Sequence, residues 1–482
     1  MARRPSSARG APIRENIEVL TFAVVMALAL KPFALEPYQI PTGSMQPTLL
    51  GTALVDPETQ RPAGGVHDRV LVDKVSFLLR DPQRWEVVVF RYPLATLNNY
   101  VKRCVGLPGE ELQIRYGDIW TRPLGSDEDF RIQRKPRELQ ETLWRRVHPR
   151  PGQEAAVWTG WELRGGARRE SGGRVRLEGH GEVERKQIRD RYTDGYPDEI
   201  ALMVRSQAPP VAYVSDLRLA FTARSGAAPG PLEVDMKLAA YDLRLSLDPT
   251  GGTHRLDLPD GTVETFGLKV PAEAEIAFDL AFWDHHVEVR IETPEDSWEL
   301  ARDLLLEARG SKLNHVRILT PGDRGGWILE PPGIWRDIHY RTPQREQGPE
   351  SLPVAIEEGH YFMLGDNTQH SQDSREWKAR VLELREPVKG AAILRGDDFR
   401  GGSDPFYDNP RWSDPARSPE GESWMTFRDE HGELYQFPVT NILRDNVEYA
   451  PLVPREYILG KVLAVFLPVQ PFAPLNRIGF VR

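Results

Sequence analysis

The sequence predicts a mainly β fold behind a single N-terminal transmembrane helix. Two observations support this prediction. Short runs rich in β-branched and aromatic residues recur along most of the chain, with Pro and Gly between them. One apolar stretch, over residues 16–35, lies close to the N-terminus and is long enough for a membrane span. With 482 residues, the chain can form two or three domains with cores of their own.

The composition argues against several classes of protein and site. The net charge of −9 is unlike that of nucleic-acid-binding proteins, which usually carry a basic surface. The single cysteine, Cys104, excludes an intrachain disulfide and a cysteine-rich zinc site. We therefore expect no metal, no cofactor and no nucleic-acid partner.

The N-terminal segment predicts a single-pass membrane protein. Four arginines lie in residues 1–15, so the positive-inside rule predicts a cytoplasmic tail there, an anchor at 16–35 and the remaining chain on the outer side. The alternative is a cleavable secretion signal, since residues 27–29 (ALA) have a small-x-small form. This triplet lies inside the apolar run rather than after it, which favours an uncleaved anchor.

The composition changes several times after the anchor. Regular short strands, separated by turns, favour an all-β sandwich in the longest part. If that sandwich is an insertion, the segments near Leu112 and Tyr361 should pair in one sheet system. The predicted parts are 36–125, first part of the core; 126–154, linker arm; 155–320, inserted β-sandwich; 321–377, return to the core; 378–450, second insertion; and 451–482, C-terminal part of the core.

Ser44 and Lys102 are candidates for a nucleophile and its base. A serine hydroxyl is a weak nucleophile at neutral pH and needs an adjacent base, and a lysine can serve if burial lowers its pKa. Lys102 lies in a strand-like run that suits burial, although most lysines are solvated. Ser44 follows Gly43 in a turn, where an ordinary turn serine is the alternative. Lys74 and His370 are the rival bases.

Four short stretches together resemble the conserved boxes of bacterial type I signal peptidases, which are Ser/Lys-dyad serine proteases. They occur in the family's order behind an anchor of the expected orientation. The resemblance implies an antiparallel β core behind one transmembrane helix and covers less than half of the chain. The stretches are 40–49 (IPTGSMQPTL), 67–74 (HDRVLVDK), 100–110 (YVKRCVGLPGE), and 361–367 (YFMLGDN) with 371–375 (SQDSR).

The resemblance assigns roles to four residues. Ser44 is the expected nucleophile and Lys102 the expected general base, with the amine within about 2.6–3.2 Å of the hydroxyl. The Ser44 backbone N–H and the Thr42 hydroxyl are expected to form the oxyanion hole. Other members of the family carry serine or glycine where Thr42 lies. Ser371 is expected to hydrogen-bond the lysine amine and orient it.

The last box also contains expected supporting residues. Asp366 and Asn367 are expected to fix the turn that delivers Ser371, since both residue types bond their own backbone. Asp373 and Arg375 resemble an ion pair that braces the box. Residues 368–370 (TQH) depart from the family, which commonly has an arginine and an acidic residue after Gly-Asp-Asn. This departure concerns the polar contacts around residues 368–370 rather than the Ser/Lys pair. We interpret His370 as a loop histidine.

The resemblance also implies a substrate and a location. The family cleaves exported preproteins after a small-x-small motif, beyond the apolar signal segment. It implies a bacterial inner-membrane protein, with preproteins and the lipid bilayer as partners. Core packing is the alternative role for each residue that matches the family's shallow apolar pockets. These expected substrate-binding residues are Tyr38, Ile40, Leu49, Tyr100 and Val101.

The insertions and two rival functions complete the predictions. Residues 216–291 loosely resemble lectin-like jelly-roll sandwiches, so a glycan or protein ligand of the inserted part is an open alternative. One rival is a membrane-anchored binding protein with a degenerate peptidase core, which the intact Ser44, Lys102 and Ser371 disfavour. The other is a Ser/Lys protease that cleaves itself or a regulator, which the anchor and the 361–367 box disfavour. No Gly-x-Ser-x-Gly elbow of an α/β-hydrolase is present.

Overall fold

A computed structural model gives the fold of the chain. The predicted anchor at 16–35 lies outside the described residues, apart from 17–19, 21 and 35. Within the described part, none of the helices is long and apolar enough to cross a membrane. The described residues are 17–19, 21, 35–150, 157–204, 212–310, 313–323, 326–343, 350–399, 408–413, 422–469 and 478–481.

Strands dominate the described chain, and the prediction of a mainly β fold is confirmed. The strands up to the first insertion are β1 (Leu35–Gln39), β2 (Gly51–Val55), β3 (Pro62–Asp73), β4 (Val87–Tyr92), β5 (Ala95–Gly106), β6 (Glu110–Arg115), β7 (Asp118–Pro123), β8 (Arg131–Ile132) and β9 (Arg145–His148). The next group is β10 (Glu162–Arg164), β11 (Ala167–Arg169), β12 (Val175–Glu178), β13 (Glu182–Lys186), β14 (Leu217–Ser225), β15 (Leu232–Leu238), β16 (Tyr241–Leu247), β17 (His254–Asp257), β18 (Val263–Phe266), β19 (Glu275–Trp283), β20 (His286–Glu292), β21 (Ser297–Asp303), β22 (His315–Leu319), β23 (Gly326–Leu329) and β24 (Gly333–Arg336).

The remaining elements follow the first insertion or are short helices. The strands are β25 (Val354–Ile356), β26 (His360–Leu364), β27 (Lys378–Val388), β28 (Ala391–Asp397), β29 (Arg411–Trp412), β30 (Trp424–Arg428), β31 (Leu434–Pro438), β32 (Ile442–Tyr449), β33 (Leu452–Pro454), β34 (Ile458–Val469) and β35 (Gly479–Phe480). The α-helices are α1 (Ser76–Leu79), α2 (Arg137–Leu143) and α3 (Asp198–Ala201), and 3₁₀ turns occur at Gly43–Met45, Val439–Asn441 and Arg455–Tyr457.

A nine-stranded antiparallel sheet forms the core. Its order is β1-β3-β34-β4-β5-β26-β33, with β2 paired to β3 and β35 to β34. The continuous apolar run of β4 is buried on both faces, which is typical of a central strand. Strand β4 pairs with β5 so that Val88 lies opposite Lys102. Lys102 therefore lies on an interior strand of the sheet rather than at its edge.

A four-stranded sheet, β25-β6-β7-β8, joins the chain on the two sides of the large insertion. Leu112 on β6 pairs with Val354 on β25. Next to it, β26 pairs with β5, with Phe362 opposite Gly106. The flanking segments thus meet in the core, in agreement with the expected pairing of the regions near Leu112 and Tyr361.

The large insertion is a sandwich of a seven-stranded and a nine-stranded sheet. Its apolar core is one cluster that extends from Val147 to Ile334 and includes Leu219, Val234 and Phe282. The body is larger than the predicted range of 155–320, because β9 and β24 pair with each other and continue one of its sheets. These end strands have four residues each, too few for their alternation to mark the boundary in the sequence.

The second insertion is a smaller β body. Strands β28-β27-β32 form one three-stranded sheet and β29-β30-β31 another. They share a buried apolar cluster that includes Leu382, Met425 and Phe437. The body contacts the β4–β5 hairpin, where the Tyr92 hydroxyl donates to Asp397 Oδ1 at 2.9 Å.

Candidate active site

Ser44 and Lys102 are in hydrogen-bond contact. Ser44 lies in the 3₁₀ turn Gly43–Met45 that links β1 to β2, and Lys102 projects from β5. The Lys102 Nζ and Ser44 Oγ atoms are 2.6 Å apart, at the short end of the expected distance. This geometry allows direct proton transfer between the hydroxyl and the amine.

Burial gives the Lys102 amine the character of a base at moderate pH. The side chain is 3% exposed, and burial lowers its pKa to about 8, because the ammonium form loses its hydration. Asp373 opposes this shift, whereas Arg375 adds to it. The Lys102 Nζ atom also lies 5.5 Å from the centre of the Tyr100 ring. An amine with this pKa is neutral in a useful fraction of molecules near pH 8.

Asn367 belongs to the last family-like stretch, residues 361–375, called here the last box. It bonds the 3₁₀ turn Gly43–Met45, called here the serine turn. Its amide Nδ2 donates to the Gly43 carbonyl oxygen at 2.9 Å, and its backbone N–H donates to the Ser44 carbonyl oxygen at 3.1 Å. The Asn367 carbonyl oxygen accepts from the His370 N–H at 3.1 Å, so the residue takes part in the turn before Ser371. Its side-chain amide bonds the turn that carries the nucleophile, because the two boxes are adjacent in space.

Asp366 pairs with Arg103, a residue that our sequence analysis did not single out. The Arg103 guanidinium donates from Nε and Nη2 to the two carboxylate oxygens, at 2.8 and 2.7 Å, and both side chains are fully buried. Although burial opposes it, Arg103 holds the pKa of Asp366 below its usual range. Asp366 also accepts from the Thr48 hydroxyl, so its side chain bonds residues that are distant in sequence. The sequence gives no local signal for this buried arginine, because Arg103 and Asp366 lie 263 residues apart.

Asp373 and Arg375 form a buried ion pair within the last box. Arg375 donates from Nε and Nη2 to the two carboxylate oxygens of Asp373, at 2.8 and 2.7 Å. Asp373 Oδ2 also accepts from the Gly365 N–H at 3.0 Å. Against the effect of burial, Arg375 lowers the pKa of Asp373. The pair thus supports the backbone at Gly365, which lies against the active site.

Ser371 is buried beside the site without a hydrogen-bond partner for its hydroxyl among the described residues. A Cβ atom at Gly365 would lie 2.1 Å from Ser371 Oγ and 2.4 Å from the Ser44 carbonyl oxygen. The expected hydrogen bond between Ser371 and the Lys102 amine is absent in this conformation. The amine makes its hydrogen bond with Ser44 instead.

Thr42 occupies the position before the serine turn. It is exposed, its backbone is extended, and its side chain makes no capping hydrogen bond to the turn. The hydroxyl is therefore accessible to a substrate beside Ser44, as an oxyanion-hole donor would need to be.

The five expected substrate-binding residues do not form one surface. Ile40 and Leu49 are buried in one apolar cluster. The half-buried Tyr38 and Val101 pack against this cluster. Tyr100 belongs to another cluster and stacks on Tyr92 with ring centres 4.5 Å apart. The role expected for Leu49 is corrected, because a fully buried side chain packs in the core and cannot line a substrate pocket. Tyr38, Tyr100 and Val101 are the members that keep accessible surface.

The rival bases lie in other environments. Lys74 forms an ion pair with Glu36. The His370 ring packs edge-on against Tyr192, with ring centres 4.9 Å apart, and its pKa is lowered by partial burial. Of the three candidate bases, Lys102 is the one that is hydrogen-bonded to Ser44.

The inserted body also contacts the site, which our sequence analysis missed. The hydroxyls of Tyr192 and Tyr196 both donate to Gln46 Oε1, two residues after Ser44. Gln369 Nε2 donates to Asp190 Oδ2 at 3.0 Å. Residues 190–196 therefore contact both the serine turn and the last box. No local pattern reveals contacts between segments so far apart in sequence.

One group of carboxylates in the described part of the chain has the spacing of a metal site. Asp118, Asp216 and Asp284 are buried and offer oxygen atoms within 4.8 Å of one another. The Lys135 ammonium lies 2.6 Å from Asp284 and 2.7 Å from Asp337, so a protein cation already occupies this acidic region. Burial raises the pKa of Asp118 and Asp216, which favours their neutral forms. The group is part of the junction between the core and the inserted body.

The core segments match a known protein family. The family model for signal peptidase, peptidase S26, matches residues 13–142 and 335–394. The residues between the two matched segments, 143–334, correspond closely to the inserted body, which extends from β9 to β24. The resemblance predicted from the sequence is confirmed by this match and by the similar proteins below.

Similar proteins of known sequence align over parts of their length. Signal peptidase I of Pseudomonas aeruginosa is 45% identical over 89 residues, covering 18% of this chain and 30% of that protein. Probable signal peptidase I-2 of Synechocystis is 31% identical over 119 residues, covering 23% and 47%. Signal peptidase I of Leptolyngbya laminosa is 32% identical over 116 residues, covering 22% and 49%. The chain thus spans half or less of the length of these relatives.

Solved structures resemble the chain only weakly. Lectin I-B4 from Griffonia simplicifolia gives a TM-score of 0.27 at 11% identity, covering 38% of this chain and 96% of the lectin. The exoplasmic/lumenal domain of VIP36, bound to Ca²⁺ and Man3GlcNAc, gives a TM-score of 0.28 at 9% identity, covering 46% and 99%. TM-scores this low carry no inference about a ligand of the inserted body.

Proposed function

We propose that this protein is a membrane-bound serine endopeptidase of the type I signal peptidase kind, which removes signal peptides from exported preproteins. The observation that carries the proposal is the 2.6 Å contact between Ser44 Oγ and a buried Lys102 amine. A serine protease needs a base next to its nucleophile, and a desolvated lysine is such a base. The match of the surrounding segments to the signal peptidase family supports the same reading.

In each half of the proposed reaction, Lys102 takes up one proton and then releases one. The neutral amine takes the Ser44 proton as Oγ attacks the scissile carbonyl carbon, which gives a tetrahedral intermediate with a negative oxygen. The Ser44 N–H and the Thr42 hydroxyl stabilise that oxygen, and each such donor contributes about 2.7–4 kcal/mol in serine proteases. The Lys102 ammonium then protonates the leaving amine as the peptide bond breaks. In deacylation, Lys102 takes a proton from the water that attacks the acyl carbon, and its ammonium then protonates Ser44 Oγ as the ester bond breaks, which restores the free enzyme.

The proposed substrate is a preprotein with a small-x-small motif, presented at the membrane surface. Residues 16–35 are the proposed anchor, with the N-terminus in the cytoplasm and the core on the outer face of a bacterial inner membrane. Ser44 follows this segment closely in the chain, which supports cleavage near the bilayer. Tyr38 and Val101, which have accessible surface, are proposed as pocket residues for small side chains.

A cleavage assay on the full chain in detergent tests the proposal. The substrate is a model preprotein with alanine at both small positions, and a second preprotein carries a bulky residue at the cleavage position. We expect cleavage of the first alone, and no cleavage by the Ser44→Ala or Lys102→Ala proteins. Because the pair acts as a unit, the double variant should be little worse than either single one. Lys74→Ala is the matched lysine control and should remain active.

Two results would contradict the proposal. Undiminished cleavage by Lys102→Ala would exclude the Ser/Lys mechanism. No cleavage of any preprotein by a folded wild-type protein would exclude the peptidase function itself.

A further inference from the structure

Four arginines line a small cavity in the inserted body, away from the Ser44–Lys102 pair. The cavity has a volume of about 160 Å³, and its wall also includes Val147, Gln187 and Ile188. The arginines come from the chain after β9 and from the segment that begins at the end of β13. They are Arg150, Arg185, Arg189 and Arg191.

None of these four arginines forms an ion pair with a carboxylate among the described residues, in a chain whose net charge is −9. Many of the other arginines are paired, as Arg336 is with Asp194. Burial lowers the pKa of Arg185 to about 10, and Arg150 and Arg191 add to this effect by like-charge repulsion. The cavity therefore concentrates positive charge without an ion pair, and Asp194 is the carboxylate whose charge partly offsets that of Arg150. A bound anion would remove the repulsion that remains.

Two of the four guanidinium groups are held by neutral partners. Arg185 Nη1 donates to the Thr159 carbonyl oxygen at 2.7 Å. Arg189 Nη2 donates to the Tyr213 hydroxyl, and its guanidinium lies 4.3 Å from the centre of the Tyr213 ring. The Nε atoms of Arg150 and Arg189 are buried and have no hydrogen-bond partner among the residues that the structure describes. Buried N–H donors normally have partners, so these two lack an acceptor that a bound ligand would provide.

The acidic residues nearest in the chain are engaged elsewhere. Asp194 Oδ2 accepts from the Arg191 backbone N–H and from Arg336 Nε, both at 2.8 Å. Asp190 accepts from the Ala212 N–H at 2.7 Å and from Gln369 Nε2 at 3.0 Å. Neither carboxylate forms an ion pair with an arginine of the cavity.

We propose that this arginine cavity binds a phosphate group. Guanidinium groups present paired N–H donors that match the oxygens of a tetrahedral anion, and such charge-assisted bonds are the strong ones. The volume is below the roughly 300–1,000 Å³ of sites for drug-sized ligands, which suits a single small anionic group. The same chemistry is present in free inorganic phosphate and in a phospholipid headgroup.

The cavity is linked to the serine turn by one short segment. Arg189 and Arg191 flank Asp190, which bonds Gln369 of the last box. The next residue, Tyr192, contacts Gln46 and His370. A phosphate group held by these arginines would fix this segment against the site. The binding proposal stands without the proposed peptidase activity, whereas an effect on cleavage would depend on it.

The test measures phosphate binding to the full-length protein in a phosphate-free buffer that contains a non-ionic detergent. Isothermal titration with inorganic phosphate, at constant ionic strength in chloride, should give saturable binding with one site. The Arg150→Gln/Arg185→Gln protein should bind at least tenfold more weakly. The control is Arg168→Gln/Arg169→Gln, which removes the same charge from two exposed arginines of the same body and should bind like wild type. Arg185→Lys keeps the charge but loses the paired donors, and should also weaken binding.

A second titration with a detergent-soluble, short-chain phosphatidic acid distinguishes the sources. Binding of both ligands, or of inorganic phosphate alone, supports a site open to free phosphate. Binding of the lipid alone supports a headgroup site. Binding of neither, or equal binding by the cavity variant and the exposed-arginine control, would overturn the proposal. Thermal unfolding without phosphate shows that each variant is folded, and cleavage of the model preprotein by the same samples reports on the peptidase separately.

Discussion

Arg103 and Asp366 form a fully buried ion pair joined by two hydrogen bonds, and Arg103 is the neighbour of Lys102 on β5. Asp366 lies in turn beside Asn367, which bonds the serine turn. The pair therefore connects the strand of the base to the loop that holds the nucleophile. We therefore expect the pair to fix the relative position of Ser44 and Lys102.

Asp366→Ala should strongly destabilise the protein. The substitution leaves the Arg103 guanidinium buried without a counter-charge, which typically costs about 3–5 kcal/mol. Chemical unfolding followed by tryptophan fluorescence measures the loss. Asp242→Ala is the control, because Asp242 forms an exposed pair with Lys237 and should cost less than about 1 kcal/mol. Equal losses in the two variants would show that the buried pair is not a structural anchor.

Proteolytic activity should rise with pH, with a midpoint near 8. Lys102 must be neutral to accept the serine proton, and burial lowers its pKa to about 8. The measurement is kcat/KM on a soluble signal-peptide substrate between pH 6 and 10, since this parameter reports the free enzyme. A profile with a midpoint near 10.5, the value of an unperturbed lysine, would argue against a desolvated base.

Lys102→Met should raise the free energy of unfolding below pH 8. In the folded protein the ammonium form is disfavoured, and a pKa near 8 instead of 10.5 corresponds to a cost of about 3 kcal/mol. This cost is fully present below pH 8 and disappears as the pH approaches 10.5, where the unfolded lysine is also neutral. Loss of the hydrogen bond to Ser44 removes about 1 kcal/mol, so the expected net gain at pH 7 is about 2 kcal/mol.

Urea unfolding of both proteins at pH 7 and pH 10 measures this difference. The gain should shrink at the higher pH. Lys74→Met is the control lysine and should shift stability by less than about 1 kcal/mol, because it forms an ion pair near the surface. A Lys102→Met protein that is less stable than wild type at pH 7 would contradict the argument.

Gly365→Ala should reduce cleavage by about 100-fold, the loss expected from an active-site displacement of about 1 Å. The added Cβ would lie 2.4 Å from the Ser44 carbonyl oxygen, and a backbone atom can move away only by displacing the serine turn. Gly322→Ala is the matched control, since its Cβ would meet nothing within 4 Å. Steady-state cleavage of a preprotein compares the two. Near-normal activity of Gly365→Ala would mean that the turn can shift without loss of the contact between Ser44 and Lys102.

Local motifs were sufficient to predict the contact at the centre of the site, but not its supporting structure. Ser44 and Lys102 each lie in a recognisable stretch, and their partnership follows from the chemistry of a serine and a base. The Arg103–Asp366 pair and the contacts of Tyr192 with Gln46 join segments that are distant in sequence. A single sequence carries no signal for such pairs, because each residue alone resembles an ordinary polar residue.

The sequence pattern also does not predict burial where residues from distant strands cover a side chain. Leu49 lies in the serine box and was expected to line a pocket, yet β3, β4 and β34 supply the residues that bury it. The predicted range of the inserted body, 155–320, is shorter than the observed one at both ends. The reason is that β9 and β24 are recognisable as sandwich strands only through their pairing. The described part of the structure leaves the predicted anchor at 16–35 as a prediction.

The pairing of β9 with β24 has a consequence for the order of folding. The core closes when Gln113 and Ser351 meet, 238 residues apart in sequence. Closing a loop of that length costs more chain entropy than closing a short one, by about 0.6 kcal/mol for each doubling. Once the inserted body has folded, Arg145 and Arg336 lie side by side as strand neighbours, and the effective loop shrinks to the two short linkers. If the inserted body folds first, it therefore lowers the entropy cost of bringing the two parts of the core together. Synthesis from the N-terminus allows this order, because the inserted body is complete before the last core strands are made.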